Sequence, residues 1–249
     1  MNSSFFQGFS LKRGIQAATY WTSRWLCLGI VKVVFGLRVE GREHIPWSGA
    51  AIIAANHVSF LDPVVVAISA GRPIHFLAKE ELFRFRPFGW LLQQYHVFPV
   101  SRRRTDLHAM KRALSLLEQG EIIAIFPEGT RGDGSQLGAA KPGIGLIAAR
   151  SGAPVIPAFH RGAEKALPRG ARFPRPHRIT VKFGAPFRFA EVQGGEGHRQ
   201  IVAFSQMVMA RIAALSARSE GGSETWGNRT HTGGEAMPTK IKGIKEQGG

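Results

Sequence analysis

The sequence predicts an α/β fold, a mixed, mostly parallel sheet flanked by helices, on three observations. Short apolar runs at about 50–55, 74–78, 97–100, 121–126, 154–159 and 179–183 have the length and composition of buried strands. Between them lie segments with helical periodicity, start residues and stop residues. A chain of 249 residues that is 44% apolar and 20% charged can bury one sizeable core with appendages. Strands alternating with helices place those helices on the faces of a sheet whose strands run largely one way.

Residues 1–13 are mixed and close on Lys12 and Arg13. Residues 14–37 are the most membrane-like stretch, with Ile15, Trp21, Trp25, Ile30, Val33 and Phe35 interrupted by Arg24 and Lys32. No run of about 20 uncharged residues is therefore available for a span. Broken by charge and followed by no small-residue cleavage site, the stretch does not read as a signal peptide. Two tryptophans and a tyrosine with flanking basic residues suit a helix lying in the headgroup region, or a shallow re-entrant hairpin. The alternative is an N-terminal helix packed on the domain's own core.

From Leu37 onward the pattern is α/β. Ala50 to Ala55 reads as a buried strand, and Asp62-Pro63 as a helix start with Asp62 at the N-cap and Pro63 at the first helical position. The clearest helix covers 105–119, capped by Thr105, with Leu107, Met110, Leu114 and Leu117 on one face and Gly120 as its stop. Another begins at Pro142 and carries Ile144, Ile147 and Ala148, and a last one over about 199–217 places Ile201, Phe204, Val208, Ile212 and Leu215 on one side. After about Arg218, glycines gather and large apolar residues nearly vanish, the composition of a disordered tail. The expected organisation is a membrane-associated helical segment over 1–37, a folded domain over 38–217 and a disordered tail over 218–249.

Chemistry is concentrated at strand ends, where ligands gather in such sheets. Asn56-His57-Val58-Ser59-Phe60-Leu61-Asp62 follows the strand at 50–55, so His57 sits at its end with a carboxylate returning five residues later. A carboxylate there can hold the imidazole in one tautomer and leave its other nitrogen free to take a proton from a hydroxyl. Taken alone, H-x4-D also fits an ordinary capping aspartate beside a loop histidine. Phe126-Pro127-Glu128-Gly129-Thr130-Arg131 follows the strand at 121–126. Pro127 and Gly129 shape a turn, Thr130 offers a hydroxyl, and Arg131 a planar fork suited to phosphate. Glu128 is expected to orient a basic residue or a substrate hydroxyl, the plainer alternative being a Glu–Arg pair bracing the turn. Lys141 precedes a helix start whose free N–H groups favour an anion. Arg102, first in Arg102-Arg103-Arg104 after Val97-Phe98-Pro99-Val100, is best placed to turn inward; the other two read as solvated. Val155-Ile156-Pro157-Ala158, near Phe159 and His160, reads as core with one edge on an acyl channel.

The formal net charge of +16 requires a polyanionic partner, whether nucleic acid, an anionic membrane or a phosphorylated substrate. No helix-turn-helix, zinc-finger or RNA-binding-sheet signature supports nucleic acid. Cys27 is the single cysteine, so no intrachain disulfide can form. No His/Cys cluster has metal-ligand spacing, and neither metal nor cofactor is expected.

These blocks resemble those of the glycerolipid acyltransferases, in particular the 1-acylglycerol-3-phosphate (lysophosphatidate) acyltransferases. Asn56, His57, Ser59 and Asp62 match the first block; Phe98, Pro99, Val100 and Arg102 the second; residues 126–131 the third in full; Val155, Ile156 and Pro157 the fourth. The matched blocks span about 50–160, and the likeness is expected to extend over 38–215. It implies a mixed sheet with flanking helices and a membrane-contacting N-terminal segment. It also implies acyl transfer from acyl-CoA or acyl-carrier protein to the sn-2 hydroxyl of 1-acylglycerol-3-phosphate, giving phosphatidic acid. In that reading His57 is the general base and Asp62 its orienter, while Arg102 and Arg131, with Lys79 and Lys141, hold the acceptor's phosphate beside Glu128, Gly129 and Thr130. The expected partners are a lysophospholipid acceptor, a thioester donor and an anionic membrane on the cytoplasmic face, without nucleic acid; no oligomeric state is implied. Ser101 stands where many relatives carry an acidic or amide residue, which leaves open another lyso-lipid acceptor, such as a lyso-ornithine lipid or a lysophospholipid. A non-catalytic basic membrane or nucleic-acid binder is the remaining alternative.

Overall fold

A seven-stranded sheet forms the centre of the computed structural model, which describes residues 22–23, 25–79, 97–100, 105–132, 134–191 and 197–217, with 77–79, 97–100 and 105–106 as backbone alone. Along the chain the elements are α1 (Trp25–Phe35), β1 (Arg38–Glu40), β2 (Ala51–Ala55), α2 (Asp62–Ala70), β3 (Ile74–Lys79) and β4 (Val97–Val100). There follow α3 (Thr105–Glu118), β5 (Ile122–Ile125), α4 (Gly143–Ser151), β6 (Val155–Arg161), the short α5 (Ala163–Ala166), β7 (Thr180–Phe183) and α6 (His198–Ala217). Strand order is β1-β7-β6-β2-β5-β3-β4. Every pairing is parallel except β6 with β7, so β1 and β7 run against the other five. The mixed, mostly parallel sheet predicted from the sequence is the one observed.

Side-chain alternation divides the core in two. Ala51, Ile53 and Ala55 of β2 face one side of the sheet, with Val65 and Ile68 of α2, Val31 and Phe35 of α1, and Ala163 and Ala166 of α5. Ile52 and Ala54 face the other, against Leu116 and Leu117 of α3, Ile144 and Ala148 of α4, and Phe204, Val208 and Ile212 of α6. Ile52 and Ile53 are fully buried, each contributing about 1.5–3 kcal/mol. β2 is thus covered on both faces and flanked on both edges, which makes its carboxyl end a rigid mount. By length and composition α6 could cross a membrane, with a mean hydropathy of 1.3 over its best window, but its apolar face is spent on this core.

Several expectations need correcting. β1 was not anticipated: its single apolar residue, Val39, lies between Arg38 and Glu40 at the sheet edge, where no apolar run marks it. It is held by parallel pairing with β7 and by a 3.0 Å ion pair between Glu40 and Lys182, directly opposite in register. Leu107 belongs to no buried face and is 65% exposed; α3 packs through Ala113, Leu116 and Leu117, with Met110 and Leu114 at the margin. Gly120 does stop that helix, in the left-handed region at φ 78°. Asp62 lies inside α2 rather than at its N-cap, which is Leu61. Its carboxylate turns back to the preceding loop instead of forward to the helix.

In its described part the N-terminal segment packs one face on the domain's own core. α1 buries Val31 and Phe35 and packs Cys27 and Leu28 against the domain's core, while Trp25, Leu26, Ile30, Val33 and Val34 stay exposed. Burial raises the thiol pKa of Cys27, which disfavours the thiolate and any nucleophilic role. The tail at 218–249 lies outside the described residues.

Candidate active site

The site is built where three neighbouring parallel strands end. β2 lies between β5 and β6, so the loops leaving Ala55, Ile125 and Arg161 emerge side by side.

His57 begins the loop after β2. Its Nδ1 lies 2.8 Å from Asp62 Oδ2, and because the carboxylate can only accept, the ring's proton sits on Nδ1 and Nε2 carries the lone pair. The same Oδ2 accepts the N–H groups of Val58 at 2.6 Å and Ser59 at 2.7 Å. Three donors converge on one oxygen of a carboxylate that is fully buried, while the His57 side chain keeps 20% exposure. This accounts for the five-residue spacing: the loop folds into a tight cup around the acid, and the imidazole forms its lip. Ser59 ties the loop down, donating its hydroxyl to Leu167 O at 3.1 Å.

The loop after β5 clamps His57 from the other side. Glu128 Oε1 accepts the His57 N–H at 2.8 Å, and Gly132 donates its N–H to His57 O at 2.8 Å. Phe126 stacks on the imidazole with centroids 4.2 Å apart and planes 18° from parallel. Glu128 Oε2 accepts the Gly138 N–H at 2.9 Å, so the carboxylate braces two backbone segments. Glu128 thus positions His57 through its backbone rather than its ring, and both carboxylate oxygens are engaged by amides instead of by Arg131. Charge-assisted bonds of this kind each contribute about 1.5–3 kcal/mol, which is how a buried glutamate is tolerated here.

Arg131 instead lays its guanidinium over the Phe60 ring, 3.6 Å from the centroid, so the third block grips the first. Gly129 is exposed at the turn with φ 69°, and a Cβ there would strike the side chain of Lys141. Lys141 is therefore brought onto the same loop, fixed also by its N–H donating to Pro127 O at 2.9 Å. Thr130 is exposed beside them. Lys79 ends β3 on the same edge of the sheet, and its side chain is outside the described residues, as is Arg102 altogether.

Two contributors escaped the sequence reading. Asn56 and His160 lock the ends of β2 and β6 together. The Asn56 side-chain amide donates to His160 O and its Oδ1 accepts the His160 N–H, each at 2.9 Å, while His160 Nε2 lies 2.7 Å from Asn56 O. Asn56 carries a motif signal, but His160, next to last in β6, shows no role until the strand order is known. Pro157, unusual in a central strand, lies one residue before the stretch of β6 that pairs with β7, Ala158–Arg161, and still accepts the Gly184 N–H at its carbonyl.

Among known proteins, the Acyltransferase family model matches residues 36–161. The 1-acyl-sn-glycerol-3-phosphate acyltransferase of Bacillus subtilis is 29% identical over 194 residues, covering 76% of this chain and 94% of its own. The enzyme of that name from Pseudomonas aeruginosa is 30% identical over 193 residues, covering 76% of this chain and 72% of its own. A chloroplastic relative from Arabidopsis thaliana is 34% identical over 140 residues, 55% of this chain, which spans only 39% of that protein's length. The crystal structure of the 1-acyl-sn-glycerophosphate acyltransferase of Thermotoga maritima superposes with a TM-score of 0.68 at 25% identity, covering 86% of this chain and 90% of that one. With its strand-end histidine–aspartate pair and these likenesses together, the chain belongs to the acyltransferase family that includes the 1-acyl-sn-glycerol-3-phosphate acyltransferases.

Proposed function

We propose that this protein transfers a fatty acyl group from a thioester, acyl-CoA or acyl-carrier protein, to the sn-2 hydroxyl of 1-acylglycerol-3-phosphate, forming phosphatidic acid. The observation that carries the reading is the 2.8 Å His57–Asp62 contact, which leaves the imidazole's Nε2 as a lone pair on a partly exposed edge. The hydroxyl oxygen attacks the thioester carbonyl as its proton passes to Nε2. Asp62 stabilises the imidazolium, the C–S bond breaks, and the thiolate recovers that proton, leaving ester and free thiol. General-base action of this kind supplies about 10²–10⁴-fold, and orienting the hydroxyl against the carbonyl adds more. Arg131 and Lys141, with Lys79 and Arg102, are assigned to the acceptor's phosphate, beside Gly129 and Thr130. The thioester is a co-substrate, and the chemistry calls for no cofactor or metal.

The same reading puts the protein on the cytoplasmic leaflet of the inner membrane. Two surfaces near the active edge support it. The first is the exposed apolar face of α1, whose Phe35 O accepts the Ile179 N–H. The second is the loop at 165–178, which exposes Lys165, Arg169, Arg172, Arg175 and Arg178 with Phe173 at 80% and contains no acidic residue. Each such cation contributes about 1 kcal/mol of attraction to an anionic leaflet.

The test is a product assay with purified protein and labelled acyl-CoA or acyl-carrier protein. Lysophosphatidate should be converted to phosphatidic acid, and lyso-ornithine lipid or lysophosphatidylcholine much more slowly. Conversion of one of those in place of lysophosphatidate, an outcome that Ser101 leaves open, would overturn the acceptor assignment. Thioester stability in the presence of every acceptor would overturn the acyltransferase reading itself.

A further inference from the structure

The acid of the dyad has a second histidine on it. Asp62 uses only Oδ2 for His57, Val58 and Ser59; Oδ1 is buried without a hydrogen-bond partner, and so is His160 Nδ1. These two atoms face each other at 3.6 Å, with both side chains fully buried. The tautomer of His160 is constrained from its far side: Nε2 lies 2.7 Å from a carbonyl, Asn56 O, so Nε2 must be the donor. If that were the ring's single proton, a nitrogen lone pair would confront a carboxylate lone pair in a dry interior, which is costly.

We propose that a resident proton lies between His160 Nδ1 and Asp62 Oδ1, making His160 a positioning residue that completes a His57–Asp62–His160 array. The proton closes the 3.6 Å gap to a hydrogen bond and satisfies two buried atoms at once. It also offsets the charge of Asp62. A buried carboxylate facing His57 alone would favour the imidazolium, which cannot act as a base; a cation on its opposite oxygen weakens that pull and leaves Nε2 free to take the substrate's proton. The resident proton does not move during turnover. Among the described residues, four other charged groups of the neighbouring loops are engaged elsewhere. Glu128 serves the amides of His57 and Gly138, Arg131 covers Phe60, Lys141 lies on Gly129, and Glu164 accepts the Gly162 N–H at 2.8 Å. Arg161, next on β6, is half-buried.

The kinetic consequence rests on His57 being the base, but the proton itself can be observed without turnover. In histidine-¹⁵N-labelled protein at neutral pH, one ring should show both nitrogens protonated and slow to exchange, and His160→Gln should remove that signal. A His160 ring in the single Nε2–H tautomer would overturn the proposal whatever the enzyme's activity. In His160→Gln, whose amide can still donate to Asn56 O, the acid limb of the kcat/KM profile should move to higher pH, so that activity falls severalfold on that limb and little on the plateau, with KM for the acceptor unchanged. A loss uniform across pH, as a purely structural role requires, or a limb moved to lower pH, would contradict it.

Discussion

Replacing Asp62 by asparagine removes a charge at almost no change in volume, and the geometry allows its consequences to be separated. Oδ2 receives three donors, at 2.8, 2.6 and 2.7 Å. If the amide oxygen occupies that position, all three bonds survive as neutral ones, each weaker by about 1 kcal/mol. Most of that loss is offset because a buried carboxylate no longer has to be desolvated. The new Nδ2 then faces His160 Nδ1 and can donate to it once His160, no longer opposite a carboxylate, gives up its resident proton. Net stability should therefore change by less than about 2 kcal/mol. Catalysis has no such compensation: the imidazolium formed as His57 accepts a proton loses its counter-charge. We expect kcat to fall about 10²–10⁴-fold, or roughly 3–5 kcal/mol in barrier, with KM for both substrates little altered. Thiol release from acyl-CoA gives kcat and KM, and thermal unfolding of the same preparation gives the stability change. A variant that folds normally and keeps kcat within about threefold of the parent would refute the dyad.

Three further outcomes follow from single contacts. Arg131→Ala should raise KM for the phosphorylated acceptor about tenfold or more with kcat nearly unchanged, since a phosphate contact binds ground and transition states alike; a rise in KM for the donor instead would mean that the arginine serves the thioester. Gly129→Ala puts a side chain at a left-handed φ of 69° and pushes aside the flexible tip of Lys141, so unfolding measurements should show a loss of about 1–3 kcal/mol from the backbone strain, and an unchanged melting temperature would contradict the turn geometry. Cys27, whose half-buried thiol is held above the ordinary thiol pKa by its apolar surroundings, should react with iodoacetamide at pH 8 more slowly than a free cysteine and approach it only as pH rises. Cys27→Ala should retain full turnover, whereas an inactive, folded variant would reopen the question of a covalent acyl-enzyme.

Much of the sheet was legible because its central strands are buried and so read as plain apolar runs, Ala51–Ala55 and Ile122–Ile125 above all. The dyad was legible because its two members lie five residues apart, within one loop. What stayed hidden depends on neighbours distant in sequence. β1 has one apolar residue and exists through its pairing with β7. The amide partners of Glu128 lie 71 and 10 residues away, so its chemistry suggested substrate where the fold supplies backbone. His160 is 104 residues from Asn56 and meets it only because β6 runs beside β2.

That adjacency carries a mechanical consequence. The backbone of His57 is held at both its N–H and its carbonyl by the β5 loop, while the acid that orients its ring is cupped by its own loop and bordered by β6. Ring and acid are thus referenced to three different strand ends, and their 2.8 Å separation is only as constant as the register between those strands. The register is fixed by fully buried side chains, Ile52 and Ile53 of β2 against Ile122 and Ile123 of β5 and Val155 and Ile156 of β6. A one-residue slip would turn every one of them to the opposite face. The apolar core therefore acts on the chemistry directly: it holds a proton acceptor in line while the loops around it are left free to shape the lipid and thioester sites.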